Sequence, residues 1–351
     1  MDFGMQFFPD VGPEQKSGAL YFDECLRLAA LGDAHGWGHV RTVEHYFLPY
    51  GGYSPNPVVF LTAVSQRAAK MRLVTGAVLP VFNHPLKIAG ELGMLDCISG
   101  GRLEAGFGRA FLPHEFARFG VSLDESRARF AEGMEQVRLL LEQENVTCTG
   151  RFHSFRDTTS LPRPMQKPRP RFWVAATVSP ESFVETGKAG HAIMAIPLAV
   201  KHMKELIDLY RNAWRAAGHP GNGTVMLAFH MFCDETRAQA FAAARDPMHR
   251  YLKSLVGAAS DWSSVSSKDY AGYEKMVTEL SKETIDSQVA SGAAWIGTPA
   301  EIADQIARYV DAVGGYESAS LQVNFNTIGY AEAERSVRLF SEKVMPLFRD
   351  R

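Results

Sequence analysis

Cysteine is scarce in this chain, and neither sign of charge dominates. The four cysteines among 351 residues, Cys25, Cys97, Cys148 and Cys233, lie far apart and form no CxxC pair. That leaves neither a thiolate zinc cage nor a disulfide framework to organise the fold, and it suits a reducing compartment. The 37 Lys plus Arg residues face 39 Asp plus Glu, a formal charge of −2. Such a balance argues against a surface that coats nucleic acid or grips an anionic membrane. Charged residues break every long apolar run, and the opening MDFGMQFFPD has neither the basic flank nor the apolar core of a signal peptide. The expectation is a soluble cytoplasmic protein. Missing too are a GxSxG elbow, a Walker glycine loop, an EF-hand loop and an HExxH helix, and the histidines have no metal-ligand spacing, so no metal site is expected.

What the chain does have is alternation. Short apolar segments read as strands at Phe3–Phe8, His39–Val43, Met71–Leu79, Arg102–Phe107, Phe172–Ala176, Ala192–Ile196, Val225–Phe232 and Leu321–Phe325. Amphipathic helical segments separate them. Asn56 before Pro57 and Thr298 before Pro299 and Glu301 give cap and first-turn signals, with Val59, Phe60, Ala63 and Val64 expected on the buried side of the first of these helices. Ser122 and Glu125 have capping-box spacing for another helix. Prolines 162, 164, 168 and 170 make Cys148–Arg171 resist one continuous helix or central strand and read as an ordered excursion over a barrel end.

Eight strand–helix units predict an α/β fold, a TIM (β/α)8 barrel, rather than a doubly wound sheet. Such a barrel needs about 250 residues, which leaves roughly 100 for insertions. The obvious insertion, between strand seven and the late helices, is Lys253–Ala294, with a helix expected over Glu274–Ile285. A single domain over 1–351 is expected, with 253–294 as an active-site lid or as a peripheral insertion.

In a parallel barrel the C-terminal strand ends share one rim, and that rim carries the chemistry. It gathers Glu44, His45, Arg109, Thr177 and Ser179. His45 is suited to proton transfer near neutral pH, or else packs structurally. Glu44 orients His45, or holds a backbone group or an arginine. Arg109, after the small residues Gly106 and Gly108, reads as a phosphate ligand or as a local ion pair; GFGRA is not a dinucleotide fingerprint. Thr177 and Ser179 precede a proline-started helix, so they either contact phosphate or cap it. His84 either faces the pocket or caps a helix. Phe7, Phe8, Tyr46, Phe47, Phe82, Phe111 and Phe116 are available as a wall for an apolar substrate or a flat ring.

The segments TVEHYF at 42–47, HPLKIAGELGMLDCISGGRLEAGFGRA at 84–110, WVAATVSPES at 173–182, IGTP at 296–299 and RSVRLFSEKVMPLFR at 335–349 appear in order. Together they resemble the bacterial luciferase-like flavin monooxygenases over nearly the whole chain. The resemblance implies a barrel using reduced FMN, usually delivered by a separate NAD(P)H-dependent reductase. Oxygen and FMN then form a C4a-peroxyflavin that oxygenates a hydrophobic organic substrate and must be shielded from water. It also implies that His45 is the catalytic histidine, that Arg109 and Thr177 hold the phosphate with Ser179 adjoining, and that Gly76 and Ala77 pack against the flavin ring, where a non-proline cis bond is conceivable. Tyr46 and Gly108 stand where the luciferase alpha chain has histidine and cysteine, so light emission is not implied. Two alternatives stay open: an F420-dependent oxidoreductase transferring hydride, and a non-catalytic flavin-binding or partner-stabilising subunit. Size and a barrel exterior permit a homodimer.

Overall fold

The computed structural model describes residues 1–349, so the expected domain span 1–351 runs two residues beyond it. Eleven strands follow in chain order: β1 (Asp2–Phe7), β2 (His39–Thr42), β3 (Arg72–Thr75), β4 (Leu103–Phe107), β5 (Val146–Thr149), β6 (Ser154–Thr158), β7 (Arg171–Ala176), β8 (Ala192–Ala195), β9 (Val225–Cys233), β10 (Ala294–Gly297) and β11 (Ser318–Gln322). Eight of them close a parallel ring in the order β1, β2, β3, β4, β7, β8, β9, β11, with β11 pairing back to β1. This is the expected (β/α)8 barrel, with helices packed outside it.

Local chemistry explains the helix starts. Asn56 Oδ1 accepts from the amides of Val58 and Val59, and Pro57 opens the helix Pro57–Ser65. Thr298 and Glu301 form the full capping box of the helix Pro299–Val313. Ser122 and Glu125 do not: a 3-10 turn over Leu123–Glu125 intervenes, and the helix runs from Ser126 to Glu142 without a side-chain cap. Val59, 68% exposed, and Ala63 are exposed rather than buried, because the inward face of their helix is set by Val58, Leu61 and Val64.

Three segments differ from the sequence reading. β10 is a ninth parallel strand, paired to the upper half of β9 from His230 to Cys233, while β11 takes the lower half. Its four buried residues lie at the end of the expected insertion, too short to declare a strand there. The eighth ring strand starts at Ser318, not Leu321: Ser318 and Ser320 are fully paired and buried, small polar residues that suit a crowded barrel interior. Within the ordered excursion after the helix Ser126–Glu142, β5 and β6 form an antiparallel hairpin before the prolines that the sequence reading did not mark.

Alternate strand residues point into the barrel. The lower end is closed by a polar cluster: Asp2 Oδ2 lies 3.0 Å from His39 Nδ1 and 2.6 Å from Arg72 Nη2, and Glu104 accepts from Arg72 at 3.0 Å and from Trp173 Nε1 at 2.7 Å. Above it Val74, Trp173, Met194 and Met226 pack together. Gly106 is needed in this layer, because a Cβ there would sit 2.0 Å from the Thr75 carbonyl oxygen. With the bottom filled, the barrel interior opens at the C-terminal rim.

Candidate active site

That space is a cavity of about 610 Å³, within the range of small-molecule sites. His45, Gly76, Ala77, Arg109, Thr177 and Ser179 all line it. The sequence-derived candidates, spread over more than 130 positions, therefore converge on one chamber.

His45 follows the end of β2, is 8% exposed, and packs among the rings of Phe8, Tyr50 and Phe111 at 5.6–5.9 Å. Its Nδ1 lies 3.0 Å from Glu115 Oε1, and the same oxygen accepts the Tyr46 amide at 2.8 Å. Glu115 is fully buried in the short helix Pro113–Phe119. A carboxylate only accepts, so Nδ1 carries the proton and Nε2 is the nitrogen left to exchange one. Glu115 is a partner of His45 that the sequence reading missed, since nothing local marks a glutamate 70 positions away.

Glu44 does not orient His45. It accepts from Tyr46 Oη at 2.5 Å, Asn83 Nδ2 at 2.7 Å and the Leu79 amide at 3.0 Å, so it ties the loop after β2 to the loop after β3. Burial pushes its carboxyl up to about 7 against those three donors. His84 takes its helix-capping alternative, with Nδ1 accepting from the Leu86 amide at 3.2 Å. The aromatic wall divides. Phe8 and Phe111 line the cavity, whereas Phe7 faces the helices against Phe60, because successive strand residues alternate sides. Tyr46, Phe47, Phe82 and Phe116 build an outer cluster with Phe119 rather than a wall of the chamber.

Arg109 follows β4 with its guanidinium 4.4 Å over the Tyr270 ring. Among the described residues it has no carboxylate partner, and its buried Nη1 has no hydrogen bond. The local ion-pair alternative is thus absent among the described residues, and Arg109 lines the cavity without one. Thr177 Oγ1 lies 2.8 Å from Tyr273 Oη. Ser179 is the N-cap of the helix Pro180–Lys188, yet its hydroxyl makes no cap hydrogen bond, and the first-turn field is directed outward from the helix start. Nearby Arg127 is already engaged by Glu181 at 2.8 Å. An uncompensated cation, two hydroxyls and a helix start in one wall fit a phosphate monoester.

The floor carries residues that sequence alone did not single out. Arg41 points inward from β2, donates to Gln6 Oε1 and, at 3.0 Å, to the Gly76 carbonyl. Gly76 makes room for it, since a Cβ there would meet Arg41 Nε at 2.1 Å. The Gly76–Ala77 peptide is cis.

Lys253–Ala294 is largely helical. The helix Arg237–Ala259 runs into it, followed by helices Tyr273–Leu280 and Ile285–Ser291, so the expected single helix 274–285 is two. It is anchored over the rim: Trp262 Nε1 donates to the Phe111 carbonyl at 2.9 Å, and Tyr270 Oη to the Arg109 and Ala110 carbonyls at 3.1 and 2.9 Å. Tyr251 and Tyr273 line the cavity directly.

Among known proteins, the chain is 42% identical to the monooxygenase RslO1 of Streptomyces bottropensis, whose crystal structure superposes with a TM-score of 0.88 over 99% of this chain and 100% of that one. The oxygenating constituent of 3,6-diketocamphane monooxygenase from Pseudomonas putida, solved with FMN, shares the fold at 20% identity and a TM-score of 0.82, over 99% and 98% of the two chains. The oxygenase component of the flavin-dependent trigonelline monooxygenase of Acinetobacter baylyi is 29% identical over 66% of this chain and 65% of its own length, so the match spans just under two thirds of that relative. The family model of luciferase-like monooxygenases matches residues 1–315. Fold, rim chemistry and family match agree: the chain belongs to the luciferase-like monooxygenase family, the flavin-dependent monooxygenases named by its sequence resemblance.

Proposed function

We propose that this protein is the oxygenase component of an FMN-dependent monooxygenase that takes reduced FMN from a separate reductase and oxygenates a hydrophobic organic substrate. The observation that carries this is that Arg109, with no carboxylate partner among the described residues, lines the same cavity as the Glu115-held His45. When bound, reduced FMN supplies the two electrons and the ring on which oxygen is activated.

The chain's own residues do the rest. Arg109, Thr177 and Ser179 bind the phosphate and fix the cofactor's position. Gly76, Ala77 and Gly108 offer little side-chain bulk where a flat ring must lie. His45 Nε2 holds or moves a proton in the cavity, with Glu115 fixing ring orientation and tautomer. The aromatic cover of Tyr251, Trp262, Tyr270 and Tyr273 excludes water and acts as the lid. No helix among the described residues is long and apolar enough to cross a membrane, and we place the enzyme in the cytoplasm, where a flavin reductase and thiols kept reduced are at hand.

The protein pairs with a second copy through the apolar strip of Val59, Met94, Ile98, Leu161 and Met165, 44–72% exposed on adjoining elements. A dimer by light scattering that Val59→Asp plus Met94→Asp converts to monomer supports this; an unchanged wild-type monomer contradicts it.

The test of function is parallel titration with reduced FMN and reduced F420, followed by oxygen uptake with apolar carbonyl and aromatic substrates. Tight FMN binding with substrate-stimulated oxygen uptake is expected. Anaerobic hydride exchange with F420 alone would make it an F420 oxidoreductase. Stoichiometric FMN binding without turnover, with or without a reductase, would make it a non-catalytic subunit.

A further inference from the structure

Arg41 is a buried cation with no counter-ion. It is 7% exposed, its partners are the neutral Gln6 amide and Gly76 carbonyl, and its buried Nε has no hydrogen bond. No acidic side chain among the described residues forms an ion pair with it, although the cavity wall elsewhere carries Glu44, Glu135, Glu181 and Glu185. Taking a guanidinium out of water is strongly unfavourable unless an opposite charge compensates it. Burial alone pushes it down to about 10.

The fold nevertheless builds a place for it. Gly76 lacks the Cβ that would collide with Nε, and Gln6 on the neighbouring strand turns its amide oxygen to Nη1, which fixes the fork. Around it the cavity is aromatic: Phe8 lies 4.6 Å from Tyr50 and 6.1 Å from Tyr251, ring centre to ring centre. The Tyr50 and Tyr251 rings lie 6.1 Å apart, and His45 touches Phe8 and Tyr50. An aromatic-lined cavity thus carries a fixed positive charge with no counter-ion among the described residues, in the same chamber as His45.

We propose that Arg41, with Gln6, Tyr50 and Tyr251, forms the substrate subsite of this oxygenase and selects a planar aromatic or conjugated compound bearing an ionised oxygen: a phenolate, enolate or carboxylate. The proposal rests on the oxygenase reading of the cavity and adds the substrate class. The aromatic rings take the apolar body, and the guanidinium supplies charge-assisted hydrogen bonds to the anionic oxygen. It is separate from the phosphate end, where Arg109, a second unpaired guanidinium, stands.

The experiment compares 2-naphthoate with its neutral isostere 2-naphthamide by calorimetry, in full-length flavin-free and FMN-saturated protein. Wild type is expected to bind the naphthoate at least about tenfold more tightly in both forms. Arg41→Gln is expected to erase that preference, Arg41→Lys to keep most of it, and flavin-free Arg109→Ala to leave it intact. Equal affinities in wild type, or a preference that survives Arg41→Gln, would overturn the proposal. So would loss of the preference on FMN saturation, or on Arg109→Ala, each of which places the anion where the cofactor belongs. Arg41→Gln weakening reduced FMN while sparing the naphthoate preference would assign the arginine to the flavin instead. The wild-type pair reads the subsite even where Arg41→Gln does not fold. If FMN fails to bind at all, the cofactor reading falls while the flavin-free arm still decides the subsite.

Discussion

Glu115 Oε1 holds two donors at once, His45 Nδ1 at 3.0 Å and the Tyr46 amide at 2.8 Å. One buried carboxylate oxygen therefore fixes both the imidazole and the backbone that follows it. The orientation of the His45 ring is set by a residue that follows a different strand.

His45→Ala removes that nitrogen without touching the Arg109 wall. FMN affinity stays within a few-fold, productive oxygenation falls by about 100-fold or more, and hydrogen peroxide release rises. Single-turnover product yield and peroxide yield read the two outcomes; unchanged values for both would refute the role of His45.

Glu115→Gln and Glu115→Ala separate charge from position. The Tyr46 amide still draws the glutamine oxygen toward His45, so the glutamine variant keeps an acceptor at Nδ1 and retains activity to within about tenfold. The alanine variant frees the ring and falls by about 100-fold, near the loss on removing His45 itself. Equal activity of the two variants would show that Glu115 does not position the ring.

Burial pushes His230 down to about 3, and its ring packs on Tyr251 at 4.2 Å and Phe325 at 5.1 Å without a partner for Nε2. Below pH 6.5 the unfolded chain takes up a proton that the buried ring refuses until about 3, so stability is lost as pH falls through that window. His191, pushed down to about 4 chiefly by burial, adds in the same direction. His230→Phe, close in shape, is expected to lose less stability than wild type between pH 6.5 and 4.5. Urea midpoints at the two pH values check this, and an identical pH dependence in both proteins would contradict it.

The barrel was legible because its signals are local and redundant. Asn56 with Pro57 and Thr298 with Pro299 mark helix entrances that the structure repeats atom by atom, and apolar β strands recur between them. Strand-end position alone brought His45, Arg109, Thr177 and Ser179 to one rim. What stayed hidden depends on contacts across the sheet. β10 is four residues long and borrows half of β9, Ser318 and Ser320 look like a turn until they are seen filling a narrow interior, and Glu115 meets His45 only once two loops fold together. Arg41 carried a readable signal: a charge inside a short buried strand, in step with His39, both facing the barrel interior.

The central claim is that one cavity holds a phosphate at Arg109 and a redox-active ring beside His45. Its most direct measurement is the affinity of FMN and riboflavin for wild type and for Arg109→Ala, four dissociation constants by fluorescence titration. Only FMN offers phosphate to the unpaired guanidinium, so the variant should lose about 10- to 100-fold for FMN and less than threefold for riboflavin. Equal losses for both ligands, or none for either, would contradict the account.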